Sequence, residues 1–291
     1  MDTPLARELA DLSARRRVLE SVSIDFSGDT RILTVSNQKG GVGKTTSAVN
    51  VASALAGLGA KVLVIDLDPQ GNASTALGVP HNADTQSIYD VLIEELPLAE
   101  IVQQSPEDEN LFCAPSTIHL AGAEIELVSQ VAREHRLRSA LGEYLDAHPM
   151  DFVIIDCPPS LGLLTINAFT AANEVFIPIQ CEYYALEGLS QLLGSIQMIQ
   201  KHLNPGLHLS TILLTMFDGR TRLAQQVADE VRTHFPDQVL DTVIPRSVRV
   251  SEAPSFGQTV IAYDGQSAGA VAYREAAVEI ASRTATQSKE K

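Results

Sequence analysis

A glycine-rich loop between a predicted strand and a predicted helix constrains this chain more than any other feature. It reads Gln-Lys-Gly-Gly-Val-Gly-Lys-Thr-Thr over residues 38–46, directly after an apolar run at 31–36. Glycines let the backbone curl so that successive N–H groups point inward, and the following helix adds the positive end of its dipole. This strand–loop–helix context is the one in which such a loop binds phosphate groups. We therefore predict a nucleotide-binding P-loop.

Apolar strands alternate with amphipathic helices along the rest of the chain. The predicted strands share near-continuous Val, Ile and Leu content and cover 31–36, 61–66, 110–114, 151–156, 174–180, 207–216 and 239–244. Such content is typical of strands buried on both faces of a parallel sheet. One predicted helix begins near residue 44, and the others cover 118–147, 186–202, 223–234 and 268–283. The alternation predicts an α/β fold over residues 31–283, with one doubly wound, mostly parallel sheet and helices on both faces.

The two ends of the chain differ from this body. Residues 1–30 form an N-terminal extension with three consecutive arginines and an apolar stripe at Leu5, Leu9, Leu12 and Leu19. The stripe is compatible with a partly disordered, loosely packed helix, or with a regulatory or membrane-surface helix. Residues 284–291 are a polar tail that we expect to fray. No apolar run reaches the roughly 18 residues of a membrane span, and the expected location is cytoplasmic.

The loop and two strand ends together predict an active site. Lys44 is expected to reach the β- and γ-phosphates of a nucleotide, the Thr45 hydroxyl to bind Mg²⁺, and Thr46 to contact the α-phosphate. The loop residues that complete the nucleotide site are Gly40, Gly41, Val42 and Gly43. Asp156 ends an apolar strand, which is the position of a carboxylate that holds Mg²⁺ directly or through water.

The start of the loop departs from the usual P-loop pattern. Gln38 stands where the first glycine would be, and Lys39 follows it. This variant resembles the deviant P-loop of the ParA/MinD class of ATPases. The resemblance implies that Lys39 reaches the nucleotide of a second subunit, and hence that ATP bridges a homodimer. It also implies that Asp68 positions or activates the attacking water, while Asp66 supports the metal shell. Lys39, Lys44 and Asp68 are thus the predicted catalytic residues.

Three further segments, 66–72, 214–221 and 243–255, resemble the ParA/Soj chromosome-partitioning branch of that class. The resemblance implies adenine contacts at Pro245 and Ser247, although Ser247 replaces the Asn of the family. It implies sequence-independent binding of double-stranded DNA by the ATP-bound dimer, on the nucleoid. The arginines concerned are Arg220 and Arg249, with Arg222 and Arg246 nearby. A ParB-like partner on centromere-like sites would then stimulate hydrolysis and release.

The overall charge opposes this interpretation until it is divided along the chain. The net charge is -15, with 36 acidic and 21 basic residues, whereas phosphate contacts need Lys and Arg. The segment 61–130 carries 12 acidic residues against Lys61, but 201–260 carries six of each sign and holds all four candidate arginines. An acidic average therefore leaves room for a local basic surface.

Other functions fit the residues less well. A MinD-like membrane ATPase needs a C-terminal amphipathic helix, and residues 281–291 lack bulky apolar side chains, so no stable membrane association is expected. An iron–sulfur ATPase needs a matching cysteine pattern, which the scattered Cys113, Cys157 and Cys181 do not supply. A non-enzymatic nucleotide-binding scaffold would not need Lys39 and Asp68. A plasmid-type protein with an N-terminal helix-turn-helix domain would need more than 30 residues before the first strand.

Overall fold

A computed structural model describes residues 4–182 and 185–283 of the chain. The strands are β1 (Arg31–Val35), β2 (Val62–Asp66), β3 (Gln103–Gln104), β4 (Leu111–Ala114), β5 (Phe152–Asp156), β6 (Glu174–Gln180), β7 (His208–Phe217) and β8 (Val239–Pro245). The helices are α1 (Pro4–Glu20), α2 (Lys44–Ala56), α3 (Asn72–Ala76), α4 (Ile88–Glu94), α5 (Leu120–Glu126), α6 (Arg136–Ala147), α7 (Leu163–Ala171), α8 (Ala185–His202), α9 (Arg222–His234), α10 (Val248–Glu252), α11 (Val260–Tyr263) and α12 (Ala268–Ser282).

The described residues form an eight-stranded sheet in the order β3-β4-β2-β5-β1-β6-β7-β8. The pair β3–β4 is antiparallel and the other neighbouring pairs are parallel. The predicted doubly wound, mostly parallel sheet is therefore confirmed. Because β1, β5 and β2 are adjacent and parallel, their carboxyl ends meet at one edge, where such folds bind ligands.

Helices cover both faces of this sheet because successive residues of each strand face opposite sides. In β2, Val62 and Val64 pack into the core beneath α2 and α12, whereas Leu63 and Ile65 pack towards α4, α6 and α7. A third apolar cluster joins β6 and β7 to α8 and α9. The strands are thus buried on both sides, as their continuous apolar content predicts.

The prediction of one continuous helix over 118–147 is wrong. The chain forms α5, a 3₁₀ turn at Leu127–Ser129 and then α6. Between them Ala132 adopts φ 51, a left-handed conformation that a helix cannot contain. Short elements such as β3, α3, α4 and α7 were not predicted, because they are too brief to show a clear period.

The N-terminal extension contains α1, which lies on α12. Arg15 donates two hydrogen bonds to the carboxylate of Glu275 at 2.8 and 2.5 Å, and Arg16 donates one to Gln266 at 3.3 Å. Of the predicted apolar stripe, the Leu5 side chain lies outside the described residues, as does the tail 284–291. Among the described residues, no helix combines the length and the apolar character needed to cross a lipid bilayer.

Candidate nucleotide-binding and hydrolysis site

The P-loop joins β1 to α2 and is bound to β7 by a side-chain hydrogen bond. Gly41 and Gly43 adopt φ values of 75° and 87°, which favour glycine, so the loop can curl tightly before α2 begins at Lys44. The hydroxyl of Thr215, near the end of β7, donates to the Val42 carbonyl at 2.8 Å. This hydrogen bond holds the loop at the carboxyl edge of the sheet. Sequence reasoning missed Thr215, because a threonine in an apolar strand carries no functional signal.

Lys44 lies under the loop, only 8% exposed. Its ammonium donates to the Lys39 carbonyl at 3.0 Å. Burial lowers the pKa of Lys44, while the nearby carboxylates of Asp156 and Asp68 act in the opposite direction. The predicted phosphate-binding lysine and the two carboxylates therefore share one site.

Asp156 ends β5 as a fully buried carboxylate whose two oxygens accept no hydrogen bond from the described residues. Burial, followed by the neighbouring Asp66, raises the pKa of Asp156 well above its usual value. The hydroxyl of Thr45 faces Asp156 closely enough to offset part of this rise, although its geometry falls short of a hydrogen bond. Buried polar atoms are rarely left without hydrogen-bond partners. A carboxylate that accepts no hydrogen bond and lies beside a hydroxyl suits a hard cation.

These oxygens fit Mg²⁺ held mainly by phosphate and water. Mg²⁺ usually takes one or two protein ligands at nucleotide sites and keeps several waters. Within the described part of the chain, no three His, Cys, Asp or Glu side chains converge into a complete metal cage. Asp156 and Thr45 are therefore the residues that would hold the ion.

Asp66 differs from Asp156 although the two are register partners on adjacent strands. One carboxylate oxygen of Asp66 accepts the Asp68 N–H at 3.1 Å, and the other accepts the N–H and the hydroxyl of Ser74 at 2.9 and 2.7 Å. Burial raises the pKa of Asp66 to about 6, and the bonds from Ser74 limit the rise. Both oxygens are thus already engaged by the protein, which leaves Asp156 as the better metal ligand.

Asp68 and Lys39 lie on opposite sides of the loop. Asp68 is half-buried, and one of its carboxylate oxygens accepts the Gln70 N–H at 3.0 Å. Lys39 is exposed and forms an ion pair with Glu182, beyond β6. The structure therefore brings Lys44, Asp68 and Asp156 together, whereas the Lys39 ammonium is directed to Glu182.

The predicted adenine residues lie at the carboxyl end of β8, three strands from β1. Pro245 ends β8 and Ser247 precedes α10. Ser247 lies against the start of α12, where a side chain on Gly269 would come within 3.3 Å of the Ser247 hydroxyl. Gly269 thus permits the close approach of Val250 and Ser247 to the start of α12.

The four candidate DNA-binding arginines follow two adjacent strands. Arg220 and Arg222 come after β7, and Arg246 and Arg249 after β8. Because these strands are parallel neighbours, the segments that follow them leave the sheet at the same edge as the P-loop. The Arg246 N–H donates to the carbonyl of Phe217 at 3.4 Å, which ties the two segments together.

Two of these arginines already have acidic partners. The Arg220 side chain is 91% exposed and donates two bonds of 2.9 Å to Asp218, which lower the pKa of Asp218 to about 2. Arg249 lies 3.2 Å from Glu252 and 3.4 Å from Asp264. Sequence reasoning missed these partners, which reduce the net positive charge of the surface.

Comparison with known proteins decides the family. A family model described as AAA domain matches residues 30–209. The sporulation initiation inhibitor protein Soj of Bacillus subtilis is 53% identical over 251 residues, which cover 86% of this chain and 98% of Soj. The chromosome partitioning protein ParA of Caulobacter vibrioides is 50% identical over 253 residues, covering 87% of this chain and 94% of ParA. The chain belongs to the ParA/Soj family of chromosome-partitioning ATPases.

A solved structure supports the same fold with nucleotide present. A Mycobacterium smegmatis protein named cobyrinic acid a,c-diamide synthase, with bound ADP and magnesium, is 37% identical with a TM-score of 0.74. The alignment covers 90% of this chain and 96% of that one. The predicted family, the fold class and the ATPase activity of this ParA/Soj member are confirmed.

Proposed function

We propose that this ParA/Soj ATPase is a nucleotide-driven DNA-segregation switch. Mg²⁺ and ATP bind at the P-loop, ATP bridges two subunits, and the dimer binds DNA without sequence preference. A ParB-like partner then stimulates hydrolysis and releases the protein. The observation that carries this proposal is the position of the four arginines, at the same edge of the sheet as the P-loop. A change at the nucleotide can therefore act on the DNA surface over a short path.

Each residue of the site has a distinct task in hydrolysis. The loop N–H groups and Lys44 bind the phosphates, and Asp156 with Thr45 holds the cation. When bound, Mg²⁺ offsets negative charge between the β- and γ-phosphates. Asp68 orients the attacking water. Phosphoryl transfer needs mainly positioning and charge stabilisation, which these groups supply from fixed positions.

Lys39 supports a site that is completed by a second subunit. Its ammonium is exposed and paired with Glu182 rather than directed at its own loop. An exposed ion pair is weak, so an ATP γ-phosphate presented by a second copy competes well for this lysine. Dimerisation then places two arginine surfaces on one DNA molecule, and linked contacts raise the affinity steeply.

The decisive experiment measures binding to a random-sequence DNA duplex with ATP, ADP and no nucleotide. We expect binding with ATP only, and affinity that falls with rising salt as phosphate contacts predict. The double variant Arg220→Ala, Arg249→Ala should keep basal ATPase activity and lose DNA binding. Arg138→Ala is the matched control, because Arg138 is exposed on α6 rather than after β7 or β8.

Three results would contradict the proposal. Equal DNA affinity with ATP, with ADP and without nucleotide would show that DNA binding is not coupled to ATP hydrolysis. Unchanged affinity in the double variant would remove the arginines from the DNA surface. ATP-dependent binding to anionic liposomes in place of DNA would favour the MinD-like alternative.

A further inference from the structure

Ser74, in the first turn of α3, lies at the centre of a buried hydrogen-bond network. It is fully buried, and both its N–H and its hydroxyl donate to one carboxylate oxygen of Asp66. The Ser74 hydroxyl oxygen in turn accepts the N–H of Ser116 at 3.1 Å, from the segment that follows β4. One serine therefore links the end of β2, the start of α3 and the end of β4.

This network closes the segment that carries Asp68. The other oxygen of Asp66 accepts the Asp68 N–H, so the Asp66 carboxylate binds the segment near its start and, through Ser74, at its far end. Inside the segment, the Asp68 carbonyl accepts the Gly71 N–H at 2.9 Å. The position of the Asp68 backbone is thus fixed through Asp66.

The outer side of the segment is held as well. Gly71 adopts φ 64, and a side chain there would lie 2.8 Å from the His81 ring. The second ring nitrogen of His81 lies 2.9 Å from the Thr75 hydroxyl, which donates to the Gly71 carbonyl at 3.1 Å. His81 therefore packs against the outer side of the segment, opposite the Asp66 carboxylate.

We propose that Ser74 is a positioning residue for ATP hydrolysis. Ser74 orients the Asp66 carboxylate, and Asp66 in turn keeps Asp68 in line with the attacking water. The inference rests on the proposed role of Asp68. Without the Ser74 hydroxyl, the Asp66 carboxylate loses its shortest hydrogen bond, of 2.7 Å, and keeps only the two longer bonds from backbone N–H groups, so it is held less firmly against the Asp68 N–H. Small displacements of a positioning group cost up to about a hundredfold in rate.

The test compares Ser74→Ala with Ser105→Ala. Ser105 is also buried, and its hydroxyl donates to the Leu77 carbonyl at 2.8 Å, outside this network. We expect Ser74→Ala to lower kcat at least tenfold while the Kd for a non-hydrolysable ATP analogue stays within about twofold. Ser105→Ala should keep the wild-type kcat. Ser74→Thr, which retains the hydroxyl, should recover part of the loss.

Single-turnover rates in the Asp68→Ala background separate the two levels of the argument. If Ser74 acts through Asp68, Ser74→Ala causes no further decrease in that background. A further decrease of the same size would overturn the inference and leave Asp68 in place, as would a Ser74→Ala kcat equal to that of Ser105→Ala. Wild-type turnover by Asp68→Ala alone would instead refute the proposed role of Asp68, whatever Ser74→Ala does.

Discussion

The carboxylate of Asp156 destabilises the ligand-free fold, and the variant Asp156→Asn should show this as a gain in stability. Asp156 is fully buried, and its two oxygens accept no hydrogen bond within the described part of the chain. Asn has nearly the same shape but no charge. In the absence of nucleotide and metal, we therefore expect the variant to be more stable than the wild type, which is the reverse of what most buried polar substitutions do.

The magnitude follows from what surrounds this carboxylate. A buried polar group without a partner costs about 1–3 kcal/mol, and more when it is charged. Lys44 offsets part of this cost, whereas the adjacent Asp66 adds to it. Since Asn still buries an amide, we expect a net gain of about 1–2 kcal/mol in the free energy of unfolding. At about 2–4 °C per kcal/mol, the melting temperature rises by roughly 2–8 °C.

Thermal unfolding in EDTA, with ATP in EDTA and with ATP plus Mg²⁺ provides the assay. Ligand at a hundred times its Kd stabilises a protein by about 2.7 kcal/mol. We expect the wild type to gain a clear Mg²⁺-dependent increment over ATP alone. Asp156→Asn should lose that increment, because the variant lacks the carboxylate that would hold the ion.

The pH dependence in EDTA gives a second sign to check. Burial raises the pKa of Asp156 above its ordinary value of 3.8. Above pH 3.8, the folded protein therefore still binds a proton at Asp156 that the unfolded chain has released. The contribution of Asp156 to the free energy of unfolding then falls as the pH rises. The wild type should therefore lose stability relative to Asp156→Asn between acid and neutral pH.

Asp151→Asn is the control, because Asp151 precedes the same strand and accepts the Lys61 N–H at 2.7 Å. That variant should lose stability and keep the Mg²⁺ increment. If Asp156→Asn instead destabilises the ligand-free protein as Asp151→Asn does, or keeps the Mg²⁺ increment, the reasoning about this site is wrong.

Three other perturbations test separate parts of the molecule. Lys44→Ala should abolish ATP binding by calorimetry, and normal affinity would refute the phosphate site. Glu174→Gln breaks a buried bidentate pair with Arg31 at 2.6 Å, so denaturation should show a loss of about 3–5 kcal/mol. Burial raises the pKa of Glu174, but the hydrogen bonds and the charge of Arg31 lower it by more. The extra stability of the wild type over Glu174→Gln should therefore disappear as the pH falls through that lowered pKa. Asp218→Asn should raise ATP-dependent DNA affinity more than Asp237→Asn, an equal charge change before β8; equal gains would show that only net charge matters.

Local patterns were enough to predict the framework of the fold. The strand predicted at 174–180 coincides with β6, and the loop motif at 38–46 leads into α2, which begins at Lys44, because both signals lie in consecutive residues. Short elements depend on distant contacts instead. β3 is two residues that pair with β4, and α7 shows no one-sided apolar face, since it is apolar nearly all round.

The candidate site divides in the same way. The sequence identifies Asp66 and Asp156 as two aspartates at strand ends and predicts that both serve the metal, Asp156 by holding it and Asp66 by supporting its shell. The difference comes from Ser74, which donates to Asp66 and accepts the N–H of Ser116, whereas Asp156 has no hydrogen-bond partner among the described residues. Which carboxylate is free for a cation is thus a property of tertiary contacts.

Ion pairs within the subunit give the acidity of the chain a place in the proposed function. Lys39, Arg220 and Arg249 each pair with a carboxylate of their own subunit. Exposed pairs are weak and are screened by salt, so each yields to a stronger anion such as a nucleotide or DNA phosphate. Under the proposed function, the few exchanges available to one subunit would have to overcome the repulsion between its acidic surface and DNA. In the proposed ATP-bridged dimer, twice as many exchanges would be available on one duplex, so the acidity of the chain would make the proposed DNA binding depend on the dimer.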